Sequence, residues 1–197
     1  MCKSILFITV IAFASIMTVF SCNDNNNAKS TMNHEPNDSA SLVKRGDYLV
    51  TSIGCGDCHS PKRMGAQGPE IIPELKLSGS PHDLQLPPLD TASVKKGWIL
   101  FTSDLTVSIG PWGASYSANL TGDATGVGDW TEENFIRCMR EGKFKGLPNG
   151  RPLLPPMPWA NFKNLTDDDL KAILAYLKTV KPVKNVVQAP KSLAELK

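Results

Sequence analysis

Cys55-Gly56-Asp57-Cys58-His59 is the stretch on which the reading of this chain turns. Two cysteines separated by two residues, with histidine directly after the second, form the attachment signature of a c-type haem. Each thiol can add across one haem vinyl group to give a thioether. His59, on the same turn, can bring an imidazole nitrogen to the iron. The pentapeptide therefore implies one covalent haem c on Cys55 and Cys58, with His59 as an iron ligand, and electron-transfer chemistry. Two other chemistries use such a cysteine pair. A structural zinc site needs a second pair of ligands at similar spacing, and Cys2, Cys22, Cys138, His34 and His82 are scattered. A thioredoxin-like dithiol needs a βαβ context, which residues 42–75 do not offer.

The N-terminus points to export, which haem attachment outside the cytoplasm would require. Lys3 precedes an apolar run from Ile5 to Phe20. That run has the length of a signal-peptide core and is short for a membrane span. It ends in Val19-Phe20-Ser21-Cys22, which resembles a bacterial lipobox, with Cys22 as the lipid-bearing residue; an ordinary signal peptide with a chance cysteine is the alternative. Acyl chains on Cys22 would anchor the chain stably, at ~0.8 kcal/mol per buried CH₂. Residues 1–21 are thus read as signal peptide. Residues 22–41, rich in Asn and Ser, are read as a lipidated flexible linker, too poor in apolar groups to offset the entropy of ordering.

Charge narrows the partners. The chain has 197 residues, with 21 Lys and Arg against 19 Asp and Glu. Loss of the signal removes only Lys3, which leaves a nearly neutral chain and no case for nucleic-acid binding. After Cys2 leaves with the signal, Cys22 takes lipid, and Cys55 and Cys58 take haem, Cys138 is the remaining thiol. Its helical spacing from Phe135 reads as a buried core position, with an intermolecular disulfide as the alternative.

Three helices are predicted. Leu42, Gly46, Leu49 and Ile53 recur at helical spacing and run into the haem motif. Gly46 costs helix propensity, which a close crossing with another helix explains. Thr166 is an N-cap followed by Asp167, Asp168 and Asp169, favourable to the helix dipole. Leu170, Ile173, Leu174 and Leu177 then line one face, and Pro182 closes the segment. Between them, Thr131 caps a helix that ends at Gly142 and turns Phe135, Cys138 and Met139 inward.

This order resembles the class I cytochrome c domain, in which an N-terminal helix enters the Cys-x-x-Cys-His motif and crosses a C-terminal helix. The resemblance implies a methionine in the loop before the last helix as the second iron ligand. The matching stretch is Leu153-Leu154-Pro155-Pro156-Met157-Pro158-Trp159, so the metal ligands are read as His59 and Met157. His/Met ligation raises the haem potential, and the flanking prolines stiffen the loop. Met64, five residues past His59, would struggle to reach the opposite haem face, and Met139 lies on a core helix face.

Further motifs, Asn119-Leu120-Thr121-Gly122-Asp123, Gly126-Val127-Gly128-Asp129-Trp130-Thr131, Gly150-Arg151-Pro152 and Pro156-Met157-Pro158-Trp159, resemble the haem units of cytochrome subunits in periplasmic alcohol, aldehyde and gluconate dehydrogenases. The likeness spans about residues 42–182 and implies haem contacts from Asn119, Leu120 and Trp159; a plain turn-rich connection is the alternative around Asn119. Those subunits string several units together, whereas this chain has one haem motif. The expected fold is all-α: a class I cytochrome c domain at 42–182 around one covalent haem, with a long, loop-rich insertion able to hold a short β-hairpin, and a C-terminal tail at 183–197.

The insertion, Pro61 to Ser117, is the least legible part. Gly68-Pro69 resembles the cytochrome element whose proline carbonyl accepts a hydrogen bond from the ligand histidine, a bond that fixes the ring and tunes the metal; Pro61 or a plain turn is the alternative. His82 is either a second iron ligand or an exposed loop residue. Partial alternation over Trp98 to Ile109 predicts the hairpin, and Trp112 either covers haem or fills core. The function implied is that of a membrane-anchored, periplasm-facing electron carrier working with redox protein partners, a dehydrogenase, oxidase or reductase, rather than an enzyme. A haem enzyme or gas sensor, with a displaceable distal ligand, is the other reading. Oligomeric state is not legible.

Overall fold

The computed structural model describes residues 38–196. The signal peptide at 1–21, the lipidated Cys22 and most of the linker lie outside the described residues. Helix α1, Ser39–Ser52, begins three residues before Leu42, because the Asp38 carboxylate accepts a hydrogen bond from the Ala40 N–H at 3.3 Å and caps it. The residues read as the end of the linker are therefore its first turn.

Helix α6, Asp167–Thr179, is capped by Thr166, whose Oγ1 accepts from the Asp169 N–H at 3.1 Å. Its buried face holds Leu170, Ala172, Ile173, Leu174 and Leu177. It crosses α1 at Gly46, where an added Cβ would stand 2.0 Å from the Ala172 carbonyl oxygen. Only a hydrogen fits there, so Gly46 sets how closely the helices approach. An Arg45–Asp169 ion pair at 2.9 Å lies over the crossing. It is partly exposed and worth at most ~1 kcal/mol, less than one buried Leu side chain at ~1.5–3 kcal/mol.

Helix α4, Glu132–Glu141, is capped by Thr131, whose Oγ1 accepts from the Asn134 N–H at 3.1 Å, and is followed by Gly142. It buries Phe135, Cys138 and Met139. Burial pushes the Cys138 thiol up to about 11, so it stays neutral as a core group does. Leu49, Val50, Leu77, Val127, Phe135, Met139 and the α6 face form the main core. Short helices α2 (Cys55–His59), α3 (Thr91–Lys95) and α5 (Trp159–Phe162) complete the α-helices among the described residues, beside 3-10 turns at Pro73–Leu75 and Phe144–Gly146.

The molecule is not all-α. Strands β1 (Lys62–Gly65) and β2 (Gly68–Ile71) form an antiparallel hairpin, and β3 (Leu100–Phe101), β4 (Val107–Gly110) and β5 (Gly113–Tyr116) form a second sheet in the order β3-β4-β5. The short hairpin expected within 98–109 is present as the β3–β4 pairing, with Leu100 opposite Ile109 and Phe101 opposite Ser108, while Trp98 is 66% exposed outside it. A longer pairing, β4 with β5, follows it and turns at Pro111-Trp112. Val107 pairs with Tyr116 and Ile109 with Ala114, so their side chains share one face. That face is covered by Val94 of α3 and by Leu84, Leu86, Leu89, Leu193 and Leu196, a second small core.

Residues 183–196 consequently belong to the folded body and not to a tail. Lys191 and Ala114 exchange main-chain hydrogen bonds of 2.8 and 3.2 Å. Asn185 is buried, and its Nδ2 donates to the carbonyls of Ser78 and Ser80 at 2.7 and 2.9 Å. Among the described residues no helix is long and apolar enough to cross a membrane.

Candidate haem site

The site is built where α1 gives way to α2. Gly54 takes a left-handed conformation (φ 75°) that ends α1 and redirects the chain; a side chain there would also meet the Asp57 carboxylate at 2.7 Å. Helix α2 is then a single short turn, which puts Cys55 and Cys58 on neighbouring positions of one face. Both thiols are free and half-buried, and Cys55 packs on the main core. Burial pushes Cys55 up to about 11, and raises Cys58 as well. Both are therefore neutral thiols near pH 7. Lys62 Nζ closes the C-terminal end of α2, donating to the carbonyls of Asp57, Ser60 (3.1 Å) and Asp104 (3.0 Å).

His59 is held by its ring and its main chain. Nδ1 lies 2.8 Å from the Ala118 carbonyl oxygen. A carbonyl only accepts, so Nδ1 carries the proton and Nε2 keeps its lone pair for a metal. Burial lowers the imidazole pKa, which also favours the neutral, ligating form. The His59 carbonyl accepts from the Gly79 N–H at 2.8 Å, and the buried Ser60 Oγ accepts from the Leu77 N–H at 2.9 Å.

The residue that orients His59 is a correction to the sequence reading. Pro69 is exposed on β2 and does not accept from the ring, and the Pro61 carbonyl is taken by the Ile72 N–H at 3.0 Å. The β1–β2 hairpin carries Pro69 outward. Ala118, on the segment after β5, takes its place.

Asn119 makes its polar contacts within the protein. Its Nδ2 donates to Thr125 Oγ1 (3.0 Å) and the Val183 carbonyl (2.8 Å), and its Oδ1 accepts from the Thr121 N–H (3.0 Å) and hydroxyl (2.8 Å). With both donors and the oxygen engaged, it is a tie between the 119–125 loop and residue 183, with no polar valence left for a cofactor. Leu120 is half-buried against the main core, its N–H on the Leu77 carbonyl at 2.8 Å. Trp159 lies over Gly142, where an added Cβ would meet its ring at 2.5 Å, so its ring packs on the end of α4.

Met157 is half-buried against the same core as Cys55, just ahead of α5. The carbonyl of Pro155, two residues earlier, accepts from Ser115 Oγ at 2.7 Å. The competing candidates are placed elsewhere. Met64 is 70% exposed on β1, Met139 is buried on α4, and His82 is exposed on its loop. Ala118, Ser108, Ser115 and Asn185 went unread in the sequence. A main-chain acceptor and isolated serines carry no side-chain pattern to find.

The donor set suits haem. Two thiols, an imidazole with a free nitrogen and a thioether are the donor types that haem c takes, and Cys55 and Met157 pack half-buried on the same main core as Ile53, Leu120 and Phe162. The Trp112 indole N–H is buried without a partner among the described residues.

No family model matches the chain. Its homologues are cytochrome c subunits of dehydrogenases. It is 32% identical over 136 residues to the gluconate 2-dehydrogenase cytochrome c subunit of Pantoea cypripedii, covering 68% of this chain and 22% of that one. It is 41% identical over 143 residues to the fructose dehydrogenase cytochrome subunit of Gluconobacter japonicus, covering 72% and 22%. The alcohol dehydrogenase (quinone) cytochrome c subunit of Gluconobacter oxydans is 29% identical over 159 residues, covering 80% and 25%. The chain spans about a quarter, at most, of the length of the curated relatives it matches.

Proposed function

We propose that the chain is a mono-haem c-type cytochrome that carries single electrons between redox protein partners. Cys55 and Cys58 hold haem c through thioethers, and His59 Nε2 and Met157 sulfur ligate the iron. When bound, haem supplies a metal that gains and loses one electron. The chain's own part is to fix the ligands, keep water from the iron and set the potential. The observation that carries the reading is the orientation of His59: its Nδ1–H is committed to Ala118 O, which leaves Nε2 for a metal one residue after a pair of half-buried thiols.

The names of the relatives support a dehydrogenase as a redox partner. The neutral charge balance favours protein docking over nucleic acid. Export and a lipid on Cys22 would place the haem domain on the periplasmic face of a bacterial membrane.

The test is the visible spectrum of oxidised and reduced protein from a haem-maturing host. A low-spin spectrum with a methionine-sulfur charge-transfer band in the oxidised form is expected. A high-spin oxidised spectrum would favour the enzyme or gas-sensor reading, with its open iron position. The anchor is checked separately by metabolic lipid labelling, which Cys22→Ser should abolish; equal labelling of the variant refutes it.

A further inference from the structure

One short segment touches both loops that carry the proposed iron ligands. Ser115 Oγ, on β5, donates to the Pro155 carbonyl at 2.7 Å, two residues before Met157. Ser108 Oγ, opposite it on β4, lies 2.8 Å from Ser115 Oγ and 3.4 Å from the same carbonyl. Three residues after Ser115, the Ala118 carbonyl accepts from His59 Nδ1–H at 2.8 Å. Three residues of chain reach at most roughly 10 Å, so the segment limits how far apart the two loops can be held.

The segment is itself fixed. The Ser117 N–H donates to the Thr106 carbonyl, and the Ser117 carbonyl accepts from the Ser80 N–H, both at 2.9 Å. Thr106 is fully buried, and its Oγ1 donates to Asp104 at 2.8 Å. The opposite face of the hairpin sits on the second core. A residue attached here inherits the rigidity of the sheet.

We propose that Ser115, backed by Ser108, is a positioning residue that holds the Met157 loop in register with His59, so that the β4–β5 hairpin braces the axial ligands. This deepens the reading above and rests on Met157 being the second ligand. A thioether is a weak ligand, and its hold on iron depends on how little freedom its loop retains. The Ser115 hydroxyl removes part of that freedom. Ser115→Ala removes the bond, while Ser115→Thr keeps a hydroxyl on a residue that strands accept readily.

The test is titration of oxidised haem-loaded protein with imidazole, which competes with methionine sulfur. Ser115→Ala should bind imidazole about 3- to 10-fold more tightly, the equivalent of one ordinary hydrogen bond. Ser115→Thr should match wild type, and Ser108→Ala should shift the affinity in the same direction by less. A purely structural role would lower the melting temperature of Ser115→Ala without changing its imidazole affinity. Met157→Ala is the control. If it loses the methionine-sulfur band while Ser115→Ala and Ser108→Ala keep wild-type imidazole affinity, the brace is refuted alone. If Met157→Ala keeps that band, the ligand assignment and the brace fall together.

Discussion

Met157→Ala is expected to lower the reduction potential on the order of 0.1 V or more, within the ~0.8 V that axial ligands command across haem proteins. A thioether stabilises reduced over oxidised iron, and its loss leaves a position open to water or to an added ligand. The oxidised spectrum should lose its methionine-sulfur band and gain high-spin character. Potentiometry of wild type and variant checks the shift. Among the described residues the competing candidates lie on other segments. Met139 is committed to the core on α4, and Met64 and His82 are exposed on other segments. An unchanged potential and spectrum would remove Met157 from the ligand set and return the choice to Met64, Met139 or His82 among the described residues.

Gly46→Ala should destabilise the fold by about 3 kcal/mol, the upper part of the usual overpacking range. Two effects oppose one another. Alanine favours an isolated helix over glycine by ~1 kcal/mol. Against this, the new Cβ would lie 2.0 Å from Ala172 O and 2.7 Å from Tyr176 Cβ, both on a packed helix with no flexible tip to yield. The clash wins because α1 and α6 must separate along the crossing that carries Leu49, Val50, Ile173 and Leu177. For a chain of this size the melting temperature should fall by roughly 6–12 °C. Thermal unfolding followed by circular dichroism on haem-loaded protein measures it. A rise in melting temperature would show that the helices are less closely packed than the structure has them.

What the sequence disclosed follows from the kind of signal each element carries. α1, α4 and α6 announce themselves through apolar residues at helical spacing and through Thr131 and Thr166 as caps. Gly46, costly in a lone helix, pointed to the close crossing. The sheets are written less plainly. β1 reads Lys-Arg-Met-Gly with no alternation, β4 shows a period of two only through Val107 and Ile109, and β5, Gly-Ala-Ser-Tyr, has no apolar run to announce it. The C-terminal segment lacks any period, yet Asn185 and Lys191 fix it through long-range polar contacts that only the fold brings together. At the site, Cys55, Cys58 and His59 are legible because the chemistry demands adjacent side chains. The group that orients His59 is a main-chain carbonyl 59 residues away. Any residue can supply such an acceptor, so the choice among Pro61, Pro69 and Ala118 was decided by which segment the hairpin turns outward and which lies against α2.

The intact mass of denatured protein from a haem-maturing host tests the central claim most directly. Two thioethers survive unfolding, so the mass should exceed that of the mature polypeptide by one haem, and Cys55→Ala/Cys58→Ala should lose that increment. A wild-type chain at the bare polypeptide mass, from cells that load a control c-type cytochrome, would contradict the account.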